Sequence, residues 1–100
     1  MQRFIADYQA EYGAPPETAF AALGYDAVML IANAIERADS AKQKALAEAL
    51  EATHDFVGVT GAINFGPLLH LPEKEVTVVK VTGTTLTLAA VIRPQKVPLP

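Results

Sequence analysis

The 100-residue chain contains no cysteine, which excludes a disulfide framework, a thiolate metal site and a thiol nucleophile. Charge of one sign is also scarce: the net charge is −3 with 19% charged residues. No basic field is therefore available to attract nucleic acid or anionic lipid. The opening residues lack a basic segment followed by an apolar one, so no signal peptide is expected within this stretch. The longest apolar run, Phe20 to Ile35, is interrupted by Asp26 and Asn33 and falls short of a membrane span. No phosphate-cradling glycine loop, nucleophile elbow or HExxH helix occurs. Catalysis therefore has no candidate centre, and no cofactor is called for.

What is present is apolar: 51% of the residues are hydrophobic, which argues against disorder. A chain of this size makes one domain at most, or part of one. The run Phe20 to Ile35 is apolar around most of its circumference, and such a helix must be covered on several sides. The remaining residues can barely supply that cover, so the run reads as the central helix of something larger.

Periodicity divides the chain into a helical half, residues 1–53, and a β-rich half, residues 54–100. Phe4, Ile5, Tyr8 and Tyr12 form one stripe of a first helix, about 2–12, closed by Gly13. Ala14-Pro15-Pro16 imposes an extended link, and Pro16 with Glu17 suits the first turn of a second helix, about 16–38. Ser40 and Gln43 have capping-box spacing and open a third helix, about 41–53, with Ala41, Ala45, Leu46, Ala49 and Leu50 on one face. After His54 the pattern turns β-branched and glycine-punctuated, and Ala62 to Phe65 reads as a brief strand. Gly66-Pro67 and Leu71-Pro72 bracket a loop. Glu75 to Thr82 and Thr84 to Ile92 form a hairpin turning at Gly83, with Leu86, Leu88, Ala90 and Ile92 on one face. Three prolines make the tail from Arg93 irregular. The class is α/β: three helices, a short strand and a C-terminal hairpin.

Few side chains invite a chemical reading. Asp26 lies one turn into an apolar helix, and a buried lone carboxylate would cost several kcal/mol. It therefore either anchors a ligand or caps a neighbouring loop, the second being the more ordinary use. Gly24 costs roughly 1 kcal/mol relative to alanine in a helix, which suggests close approach of another segment or of a ligand. Phe20 and Tyr25 could stack on a ligand, although helix-borne aromatics more often pack in a core. His54 and His70 have no partners at metal-ligand spacing, so no metal site is expected.

Taken in order, Phe4 to Gly13, Ala22-Leu23-Gly24-Tyr25-Asp26-Ala27-Val28, Phe56 to Phe65 and the closing Lys74 to Pro98 resemble the C-terminal portion of the branched-chain amino acid binding proteins. These are the type I periplasmic solute-binding subunits of ABC importers. The resemblance covers nearly all of this chain but only the last third of the family's length. It implies a fragment of a two-lobed receptor, periplasmic or extracellular, that captures an amino acid and delivers it to a permease. It further implies that Gly61, Ala62, Ile63, Asn64 and Phe65 form the last crossover between lobes. Phe20 would lie at the cleft edge, and Tyr25 and Asp26 would match a recurrent pair near the cleft. Two features depart from the family. Gly66-Pro67-Leu68-Leu69-His70 replaces the usual Asp and glycine turn, and the residues that grip the α-amino and α-carboxylate groups lie mostly outside this stretch. The fragment alone should thus bind no amino acid with useful affinity. The alternative is a free-standing α/β module acting through self-association or partner binding. Either reading expects the isolated chain to form a homo-oligomer through its uncovered apolar faces.

Overall fold

A computed structural model describes residues 1–66 and 71–94. Three helices come first: α1 (Gln2–Tyr12), α2 (Ala19–Ala38) and α3 (Gln43–Glu51). Five strands follow: β1 (Phe56–Gly58), β2 (Gly61–Phe65), β3 (Pro72–Lys74), β4 (Val76–Thr82) and β5 (Thr85–Ile92). The loop expected around His70 and the irregular tail beyond Pro94 lie largely outside the described residues.

The helix ends follow local rules at two points and break them at two others. Gly13 closes α1 with φ 78°, and its N–H donates to the Gln9 carbonyl at 2.8 Å, the left-handed cap that glycine adopts without penalty. Asp39 closes α2 in the same region, φ 48°. The start of α2 falls at Ala19 rather than near Pro16, because Thr18 is extended (φ −139°, ψ 158°) and serves as the N-cap. The capping box expected at Ser40 does not form. Lys42 is still extended (φ −66°, ψ 137°), so α3 begins at Gln43, and the Ser40 hydroxyl instead accepts the Lys42 N–H at 3.1 Å. That local bond is the serine alternative to helix entry.

Helix α2 organises the core. Its buried residues, Ala22, Asp26, Leu30 and Ala34, recur every four positions and form one stripe along the helix. Half-buried Ala45, Leu46, Ala49 and Leu50 of α3 pack toward that helix, while Lys42, Lys44, Glu48 and Glu51 are exposed. Strand β1 packs on α2 as well. The remaining faces of α2 are open: Leu23, Tyr25, Val28, Met29 and Ile31 are all exposed. At 20 residues, α2 is longer than the apolar run alone indicated and meets the length and apolarity of a membrane span. Its buried stripe nonetheless carries an aspartate and packs on protein.

The β half forms two separate sheets. In the first, antiparallel β1-β2-β3, strand β2 is central. Phe56 pairs with Ile63 and Gly58 with Gly61 on one side; Ile63 pairs with Lys74 and Phe65 with Pro72 on the other. The three-residue outer strands were not separable from loop in the sequence. They are strands because β2 lies between them, and Pro72 is tolerated at the start of an edge strand. The second sheet is the hairpin β4–β5, with Gly83 in the turn at φ 61°. A register shift at Val78/Val79 sets Val76, Val78, Val79 and Val81 opposite Ile92, Ala90, Leu88 and Leu86. A bulge of this kind lets two consecutive valines both pair with apolar residues.

Candidate functional site

Side-chain hydrogen bonds gather at the junction of α2 with the β1–β2 turn. Register places only Val59 and Thr60 between the paired glycines Gly58 and Gly61, so the hairpin is closed by two residues. Gly61 has φ 109°, a conformation that favours glycine. Such a turn leaves backbone N–H groups without a strand partner, and each needs an acceptor. Asp26 supplies it. Its Oδ1 accepts the Val59 N–H at 2.8 Å and its Oδ2 accepts the Thr60 N–H at 2.9 Å. The Thr60 hydroxyl donates to the same Oδ2, and the Lys74 ammonium donates in turn to the Thr60 hydroxyl. One carboxylate on α2, one turn hydroxyl and one ammonium on β3 thus form a continuous chain.

The electrostatics agree with that geometry. Asp26 is only 2% exposed, and loss of solvent by itself pushes its acid strength down. The Thr60 hydroxyl, the two turn N–H groups and the positive charge of Lys74 outweigh that penalty. They hold the carboxyl below its usual value of 3.8. The approach is close because residue 58 is glycine: a Cβ there would come within 2.6 Å of the Asp26 Cγ. Gly24, by contrast, has open space where its Cβ would be. The close approach expected at Gly24 occurs at Gly58.

A second polar cluster ties α2 to the far end of β2. Arg37 donates to Asn33 Oδ1 at 2.8 Å, to the Ala49 carbonyl at 2.9 Å and to Thr53 Oγ1 at 2.8 Å. Ala49 is among the last carbonyls of α3, so the guanidinium caps that helix end and complements its dipole. The Thr53 carbonyl accepts the Phe65 N–H at 2.9 Å, and the Asn64 side chain accepts the Asp55 N–H at 2.6 Å. Strand β2, which is the segment Gly61 to Phe65, is therefore held at both ends, with Ile63 and Asn64 buried between.

The residues singled out in the sequence are not gathered in one place. Asp26 is committed to the β1–β2 turn. Tyr25, 46% exposed, meets the Phe4 ring at 5.3 Å between centroids. Phe20 is 78% exposed and is turned about 140° from Tyr25 around the helix axis. Tyr25, Gly24 and Val28 line a groove of about 760 Å³ between α1 and α2. Phe4, Tyr8 and Tyr12 line it from the α1 side. His54 is exposed, and among the described residues no group of three His, Asp or Glu is set to hold a metal. Sequence reasoning passed over Thr60, Lys74 and Gly58 as individual residues. The only signal for them was the spacing Gly-Val-Thr-Gly, a two-residue turn that needs an acceptor.

Comparison with known proteins supplies the context for this arrangement. No curated protein matches the chain. Among solved structures, the leucine-binding protein LivK from Thermotoga maritima matches with a TM-score of 0.73 and 38% identity. The match covers 93% of this chain and 26% of LivK, so the chain spans about a quarter of that protein's length. Three helices followed by short strands and a hairpin thus correspond to a fragment of the type I periplasmic binding protein fold. Residues 1–85 match the periplasmic binding protein family, and the chain belongs to that family.

Proposed function

We propose that these residues are part of the solute-binding subunit of an ABC importer, a receptor that captures an amino acid in a cleft between two lobes. The observation that carries this reading is 38% identity to a leucine-binding protein over 93% of the chain. In this reading β2, Gly61 to Phe65, is the last crossover between the lobes, and Phe20 contributes an apolar edge to the cleft. Tyr25 and Asp26 support the cleft from the same helix. The receptor works outside the cytoplasmic membrane, periplasmic or extracellular, and hands its solute to a permease. The chain has no enzymatic role.

Exposure at Phe20 supports the assignment, since 78% of a phenylalanine in water contributes little to folding. In the receptor, Phe20→Ala should weaken binding of leucine, isoleucine or valine about tenfold, the effect of one well-placed aromatic contact. Its melting temperature should barely move. Titration calorimetry with thermal melting checks both, and a large loss of stability at unchanged affinity would make Phe20 a packing residue instead.

The open faces of α2 and of the hairpin support burial against the rest of the receptor. In isolation the same 100 residues should bind no amino acid and should associate with one another. A monodisperse monomer in light scattering at micromolar concentration would count against that.

A further inference from the structure

The chain Lys74–Thr60–Asp26 joins three elements that are far apart in sequence, and it does so through a single hydroxyl. Thr60 Oγ1 donates to the α2 carboxylate and accepts from the β3 ammonium. A hydroxyl can do both at once, because it carries one proton and two lone pairs. Asp26 and the turn amides fix β1–β2 against α2. Lys74 ends β3, which pairs with β2 from its other side. Both edges of β2 near its first residues are thus referred to one point on α2. Among the described residues nothing equivalent holds the hairpin β4–β5, which begins two residues after Lys74 and is exposed along its whole length.

We propose that Thr60 is a positioning residue for solute capture: its hydroxyl, held between the Asp26 carboxylate and the Lys74 ammonium, sets the direction in which β2 leaves the β1–β2 turn anchored on α2 and so presets the cleft. This rests on the reading of β2 as the crossover between lobes. A crossover whose first residues are preset loses less conformational freedom when the cleft closes, so solute binding is stronger than with a loose one. Threonine is suited to the task because its branched Cβ restricts the hydroxyl to few rotamers.

The test measures leucine, isoleucine and valine binding by calorimetry in the intact binding protein that carries these residues, well below the melting temperature of each variant. Thr60→Val keeps the shape and removes the hydroxyl; affinity should fall about tenfold. Thr60→Ser returns the hydroxyl and should restore affinity to within about twofold of the native protein. Lys74→Met removes only the outer link and should weaken binding about threefold, so it carries the test if Thr60→Val does not fold. Native affinity in Thr60→Val, or in Lys74→Met where that variant stands in, overturns the proposal whatever the melting temperatures do. If the unaltered protein binds none of the three amino acids, the functional reading itself fails, and the proposal falls with it. A protein that binds while its hydroxyl is dispensable sinks the positioning role alone.

Discussion

Strand β2 and the hairpin β4–β5 are both β structure of the same chain, yet they are stabilised in opposite ways. Strand β2 is five residues long, and its buried Ile63 and Asn64 lie between polar anchors at Asp26 and at Thr53. The hairpin has fifteen strand residues, all exposed, with valines and leucines paired across it. The short strand is specified by directed hydrogen bonds, which admit one register. The long hairpin is specified by its turn and its cross-strand pairs. A two-stranded ribbon with no covered face is marginal in water. Apolar pairs can hold a hairpin in register, but only burial gives it a substantial free energy, and none is supplied within the described residues.

The sharpest way to break the contrast is at Asp26. Asp26→Ala leaves two turn N–H groups and a hydroxyl without their acceptor and strands the Lys74 charge beside them. It should cost about 3–5 kcal/mol, read as a lower urea midpoint. Gly58→Ala attacks the same contact from the other side by driving a methyl into the carboxylate, and about 1–3 kcal/mol should follow. If either variant unfolds at the native midpoint, the junction is not what specifies β2.

Acid should act on the same region. Because the folded-state value of Asp26 lies below its usual 3.8, the ionised carboxylate favours the fold. That contribution is fully present above the unfolded value and is lost as pH falls below about 4 through the lower folded value. Asp26→Asn should therefore flatten the stability profile below about pH 4, as followed by denaturant unfolding. A variant with an unchanged slope there would show that other carboxylates dominate acid unfolding.

The smallest effect belongs to the hairpin. Leu88 is 67% exposed in the single chain, so Leu88→Lys in the isolated chain, diluted until it is monomeric, should change stability by no more than about 0.5 kcal/mol. In a receptor that covers this face, the same substitution buries a charge and should be far more damaging. Comparing the two settings sharpens the contrast between regions: equal, small effects in both would mean that the hairpin stays uncovered.

Several of these features were legible residue by residue. Gly13 and Gly83 end and turn the chain because positive φ favours glycine, and that preference is local. The spacing of Phe4, Tyr8 and Tyr12 marked α1, and alternation marked β5. Asp26 stood out because a carboxylate in an apolar helix needs a partner. The partner was illegible: Val59 and Thr60 lie 33 and 34 positions away, and no spacing rule links a helix to a turn at that distance. The capping box at Ser40 misled for a related reason. The motif is permissive, and the serine found a nearer donor in Lys42.

What the sequence determined by itself is everything decided within a few residues: three helices, the glycine stop of the first, and the hairpin with its turn. An uncovered apolar α2 was legible too, since composition counts apolar residues whatever they touch. Tertiary structure alone decided that Asp26 serves a turn, that Gly58 rather than Gly24 admits a close neighbour, and that Thr60 joins α2 to β3. Hydrogen bonds and steric contacts are short-ranged in space but indifferent to separation along the chain. They become readable only when the fold has brought their partners together.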